Sequence, residues 1–230
     1  VDTATAIPGG GGAVFVNLNW YRAAGKKLSF YGTDFAGHNG FYVMSPKGGK
    51  PHTLVNQDTP VPGGSGSFGT GLAGGGGTAT ESFDFDGRTL VFNDAHGSYA
   101  VDAGNSAMSV LGDGRYWVCL EGYGFGGVGS AGIPAVSGGV SVSSNYNVFG
   151  HTALIDTPVS GVSGVAAACA SPALKADNVI PVATATMAAP GDPLGRNFDI
   201  WGFGRPVMGG NDRVWSSGLW NTGRNAYDPG

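Results

Sequence analysis

Residues 13–32 read AVFVNLNWYRAAGKKLSFYG. Val14, Val16, Leu18 and Trp20 alternate with Phe15, Asn17 and Asn19, the period-2 pattern of a strand with one face toward a core. Gly25-Lys26-Lys27 then breaks the run, and Leu28 to Tyr31 resumes it. Two short alternating runs around a glycine-bearing break read as a β-hairpin. The same grammar recurs along the chain. Phe41–Met44 and His52–Val55 flank a turn with Pro46, Gly48 and Gly49. Ser82–Phe85 and RTLVFN flank Asp86-Gly87, a strong short-range hairpin signal. Tyr99–Val101 and Ala107–Leu111 are further strands, with GDGR at 112–115 as a turn.

From Tyr116 to Pro172 the extended segments YWVCLEG, IPAV, VSVS, NVFGHTALI and GVAAACA arrive about every 8–12 residues, separated by Gly, Asn, Ser or Pro. VIPVATATM follows as another strand. No apolar 3.6-residue period persists for three turns. Many short strands at regular spacing predict an all-β fold, a β-sandwich or barrel with Gly-rich loops. The expected organisation is an extended N-terminal arm at 1–12, a β-rich body at 13–187 and an aromatic, glycine-rich C-terminal arm at 188–230. Within the body, residues 58–80 form a long Gly-rich surface loop punctuated by Phe68 and Leu72.

Composition narrows the function. The 230 residues include 44 Gly, and only 12% are charged, yet 12 Phe, 8 Tyr and 5 Trp supply the apolar mass of a folded protein. A net charge of −4, with basic residues scattered, argues against a nucleic-acid groove, which needs clustered Lys and Arg. No run of 18 apolar residues exists to span a membrane as a helix. The start, VDTATAIPGGGG, lacks the basic and apolar regions of a signal peptide, so either none is needed or it has been removed. Cys119 and Cys169 sit in apolar runs and read more simply as buried thiols than as a disulfide.

Catalytic motifs are sparse. His38, His52, His96 and His151 show no metal-ligand spacing, and HExxH, CxxC and GxSxG are absent. No cofactor is expected; GSGSFGTGLAGGGG lacks the lysine and the following helix of a phosphate-binding loop. Asp34 and His38, in GTDFAGHNG, form the most enzyme-like grouping. They would need a nucleophile brought by the fold. Asp84 and Asp86 share a face of a predicted strand, but with Gly87 following they read as a solvent-facing edge before a turn rather than as a glycosidase pair. The tail carries Trp201, Phe203, Trp215, Trp220 and Tyr227 on a frame poor in aliphatic residues. These read as anchors for pockets on the protein's own body or on a neighbour, and they are the expected partner-binding residues.

RYWVCLEGYG (115–124) and AVSGGVSVSSNYNVFGHTALIDTPVSGVSGVAAACASP (135–172) resemble the β-rich segment of small structural proteins of tailed bacteriophages, including capsid decoration proteins. In that pattern a "V.V.G" strand (Trp117–Gly122) precedes a "V..G..V" rise (Val136–Val142), a polar stretch (Ser143–Gly150) and a closing "GVA.A" strand (Gly164–Ala170). The likeness covers about a quarter of the chain. It implies a non-enzymatic virion component assembled in the host cytoplasm, homo-oligomeric or assembled, with arms reaching partners such as the major capsid protein. Two rivals remain: a secreted carbohydrate-binding or adhesive module, with exposed Trp and Tyr on one face, and a hydrolase built around Asp34, His38 or His151.

Overall fold

The computed structural model describes residues 1–69, 72, 83–94, 97–113, 131–148, 151–161, 180–184, 188, 193, 198–203, 206–209, 213–216, 218–221 and 227–229. The all-β expectation holds. Three four-stranded antiparallel meanders follow one another in sequence. Sheet 1 is β1 (Asn17–Ala24), β2 (Lys27–Thr33), β3 (Asn39–Met44) and β4 (His52–Asn56). Sheet 2 is β5 (Phe83–Phe85), β6 (Thr89–Asp94), β7 (Gly97–Asp102) and β8 (Met108–Asp113). Sheet 3 is β9 (Ala131–Ser137), β10 (Val140–Val148), β11 (His151–Pro158) and β12 (Ile180–Thr184). The run 147–155, expected as one segment, turns a corner between β10 and β11. Gly112 and Asp113, expected in a turn, extend β8.

The sheets are layered as sandwiches are, side chains of successive strand residues pointing to opposite faces. Tyr31, Phe41 and Val43 of sheet 1 meet Phe83, Phe92, Tyr99 and Val101 of sheet 2 in the main core. The opposite face of sheet 2 presents Val91, Ala100 and Leu111 to Val136 of sheet 3. Sheet 2 is thus covered on both sides, which explains why β6 is buried at every position. The aromatic rings interlock at angles: Phe92 lies 5.4 Å from Phe41 and 5.4 Å from Tyr99, and Phe68 stands edge-on to Tyr99 at 5.0 Å. Such pairs add about 0.5–1.5 kcal/mol each beyond area burial.

Two segments expected on the outside each place side chains in the core. Phe68 and Leu72, from the glycine-rich loop, are buried against sheet 2, with the loop folded back through a Pro60–Ser67 bridge. Residues 1–12, expected as an extended arm, lie on their own body. The Ile7 N–H donates to the Ala13 carbonyl at 2.8 Å, and the Phe15 N–H donates to that of Thr5 at 3.2 Å. Ile7 and Phe15 thereby cover the outer face of sheet 1, packing on Phe30, Tyr42 and Met44. Gly32 makes that cover possible: a β-carbon there would stand 2.6 Å from the Phe15 ring.

The opening hairpin forms with two departures: β1 begins only at Asn17, with Phe15 rather than Val14 buried ahead of it, and a bulge interrupts the strand. Asn19 pairs with Tyr31 and Tyr21 with Phe30, so Trp20 is an extra residue, a β-bulge, at φ 46°. A bulge reverses which side chains face which way beyond it. Leu18 packs on the outer face of sheet 1, whereas Trp20 and Ala24 pack on the core side. Stacking of Trp20 on Tyr31, centroids 5.0 Å apart, offsets the left-handed backbone.

The C-terminal segment carries strands too. β13 (Phe198–Phe203), β16 (Gly218–Asn221) and β17 (Tyr227–Pro229) form one sheet, and β14 (Val207–Gly209) pairs with β15 (Arg213–Trp215) in a hairpin. Cys119, Cys169, His96, Trp117–Gly122 and Gly164–Ala170 lie outside the described residues.

Candidate functional site

The bulge at Trp20 aims Arg22 toward sheet 2. Its guanidinium stands over the Phe83 ring, 5.1 Å from the centroid, and its Nε lies 3.5 Å from Asp84 Oδ1. The other Asp84 oxygen accepts the Val136 N–H at 3.0 Å. One carboxylate therefore ties β1, β5 and β9 together, the first strands of three sheets. The expectation of a solvent-facing Asp84 is corrected here: its side chain is 22% exposed and pinned between layers. Asp86 closes the β5–β6 turn, its Oδ1 accepting the N–H groups of Arg88 (2.8 Å) and Thr89 (2.7 Å). Gly87, at φ 96°, presses that turn so close to the Ala24 carbonyl that a β-carbon would stand 3.0 Å from its oxygen. Where these strands converge with β14, an open cleft of about 540 Å3 is lined by Arg22, Asp84, Asp86 and Ser137, with Pro206 and Met208 on its far side.

The β14–β15 hairpin that borders the cleft has two unlike faces. Met208 and Val214, opposite one another, pack with Val140 and Val142 of sheet 3. Val207 and Trp215, also opposite one another, are 56% and 61% exposed, beside an exposed Arg213. Of the expected partner-binding aromatics, Trp215 thus stands on an open face. Trp201 and Phe203 lie in β13, Trp220 in β16 facing Phe198 in register, and Tyr227 in β17 opposite Asn221. The structure distributes them over two small sheets rather than along one arm.

Asp34 and His38 do meet. They close the β2–β3 connection, where His38 Nδ1 lies 2.6 Å from Asp34 Oδ2, the His38 N–H donates to Asp34 Oδ1 at 2.8 Å, and the Asp34 N–H donates to the His38 carbonyl. Burial opposes ionisation of Asp34, but the hydrogen bonds and charge of His38 outweigh it and hold the carboxyl below its ordinary value. The Asp34 hydrogen bond and charge, with help from Asp58, raise the His38 imidazole. The nearby Tyr42 phenol is pushed up to about 12, first by burial and then by Asp34, Tyr31 and Asp58. A carboxylate that fixes a histidine tautomer is two parts of a triad. Every hydrogen bond His38 makes here goes to Asp34. His52 pairs with Ser106 at 3.2 Å on another edge, and His151 opens β11 in sheet 3.

Arg22 and Ser137 were not singled out by sequence. Strict alternation assigns Arg22 to the face of Leu18, and only the bulge reverses it. Among the described residues no group of three or more His, Cys, Asp or Glu side chains is placed to hold a metal ion.

No protein-family model and no curated protein matches the chain. Among solved structures, it is similar to a puromycin-hydrolyzing peptidase of Mycobacterium tuberculosis, at 12% identity and a TM-score of 0.46, over 93% of this chain. The chain spans 28% of that protein's length.

Proposed function

We propose that the protein is a non-enzymatic structural component of a virus particle, of the capsid-decorating kind, which grips a repeated protein surface such as the major capsid protein. The observation that supports this reading is the two-faced β14–β15 hairpin: Met208 and Val214 fasten it to the body while Val207 and Trp215 stand open. A paired Val and Trp on a fixed hairpin lose little conformational freedom on docking, and large aromatics dominate interface energetics. On a shell of many identical sites, modest affinity per subunit sums once neighbouring subunits engage. Co-sedimentation with shells of major capsid protein tests it. The wild type should pellet with the shells, Trp215→Ser should remain in the supernatant, and failure of the wild type to pellet refutes the reading.

A hydrolase reading has one observation in its favour, the 2.6 Å Asp34–His38 contact. Turnover of activated esters that disappears in His38→Ala but survives in Trp215→Ser would replace the structural proposal with this one.

A further inference from the structure

The cleft beneath the hairpin carries unanswered hydrogen-bonding groups of both polarities. Asp86 uses Oδ1 for the turn, and its Oδ2 makes no hydrogen bond among the described residues. Arg22 pairs through Nε with Asp84 and donates from Nη1 to the Tyr21 carbonyl at 3.1 Å, and its Nη2 makes no hydrogen bond among the described residues. The Ser137 hydroxyl, partly exposed at the end of β9, likewise makes no hydrogen bond among the described residues. All three line the same cleft as the apolar Pro206 and Met208. Its volume of about 540 Å3 falls within the roughly 300–1,000 Å3 usual for small-molecule sites.

Charge selects the class of ligand. Asp84 neutralises Arg22, so Asp86 leaves the lining net negative, and a phosphate, sulfate or carboxylate would be repelled. A lysine-like cation would answer Asp86 but, carrying donors alone, would offer Arg22 and the Ser137 hydroxyl proton no acceptor. A neutral polyol satisfies all three groups at once, because each hydroxyl both donates and accepts. Its C–H faces suit the apolar wall. Val207, on the open face of the hairpin, extends that wall.

We propose that this cleft binds a neutral saccharide. The proposal stands apart from shell binding. Isothermal titration of the full chain with maltohexaose, cellohexaose and N-acetylchitohexaose tests it, with oligogalacturonate and oligolysine as charged comparators. At least one neutral hexamer should bind, and Ser137→Ala and Asp86→Asn should each weaken that binding about tenfold, the loss of one or two hydrogen bonds to polar or charged groups. The asparagine keeps the oxygen that holds the turn, and unchanged thermal unfolding confirms that it does. Absence of binding to all three neutral hexamers overturns the proposal, as does binding unaffected by both substitutions or a preference for either charged comparator. Shell co-sedimentation is read separately, so loss of one activity leaves the other standing.

Discussion

The outer face of sheet 1 and the outer face of the β14–β15 hairpin begin as the same problem, apolar side chains on a strand with nothing yet upon them. On sheet 1 the chain solves it locally: residues 1–15 return and lay Ile7 and Phe15 over Phe30 and Tyr42, leaving Phe15 fully buried. On the hairpin no described segment does so, and Trp215 stays 61% exposed. Aromatic content therefore does not separate covered faces from open ones. What separates them is whether the chain brings its own cover.

Single substitutions should act very differently on the two faces. Phe92→Ala, at the centre of the covered region, should cost about 3–5 kcal/mol in denaturant unfolding, since its ring touches several others and the void cannot collapse. Gly32→Ala should cost about 1–3 kcal/mol by driving a methyl into the buried Phe15 ring. If it costs nothing, the N-terminal cover does not sit where the geometry places it.

The Asp34–His38 pair gives a smaller effect with a definite sign. Its His38 contribution is complete below the ordinary imidazole value of 6.5 and fades as pH rises through the raised folded value. Its Asp34 contribution is complete above the ordinary 3.8 and fades as pH falls through the lowered folded value. Thermal stability supplied by the pair should therefore be greatest between about pH 4 and 6.5, and Asp34→Asn should flatten the wild-type decline above that window. The smallest effect belongs to the open face: Trp215→Ser should leave unfolding within about 0.5 kcal/mol of wild type while abolishing shell association. A large loss of stability would mean that the ring is held by the protein itself.

Most strands of the first half were legible because each is a short apolar or aromatic run bounded by Gly, Pro or Asp turn residues: β2, β3, β4 and β6 all lie where those runs put them. Burial of Phe68 and Leu72 was not legible because glycine signals flexibility in composition, while two large apolar residues are too few to establish a period. Their burial depends on the aromatic floor of sheet 2, which no local window contains. Arg22 was hidden by a bulge for which Trp20 gives no sign. The Asp34–His38 contact was legible because four residues of tight turn leave the two side chains little choice. Assembly of the cleft was not, since Arg22, Asp86, Ser137 and Met208 come from four parts of the chain joined only when the sheets stack.

Within each of the three large sheets, every strand pairs with its neighbour in sequence. Backbone ladders can then close over short loops as the chain leaves the ribosome, without waiting for distant partners. The faces cannot: the aromatic side of sheet 1 stays wet until sheet 2 has emerged. Synthesis therefore passes through a stage in which a finished ladder carries bare Phe41 and Tyr31, and a pause placed between the two sheets would make that intermediate the one most prone to aggregate.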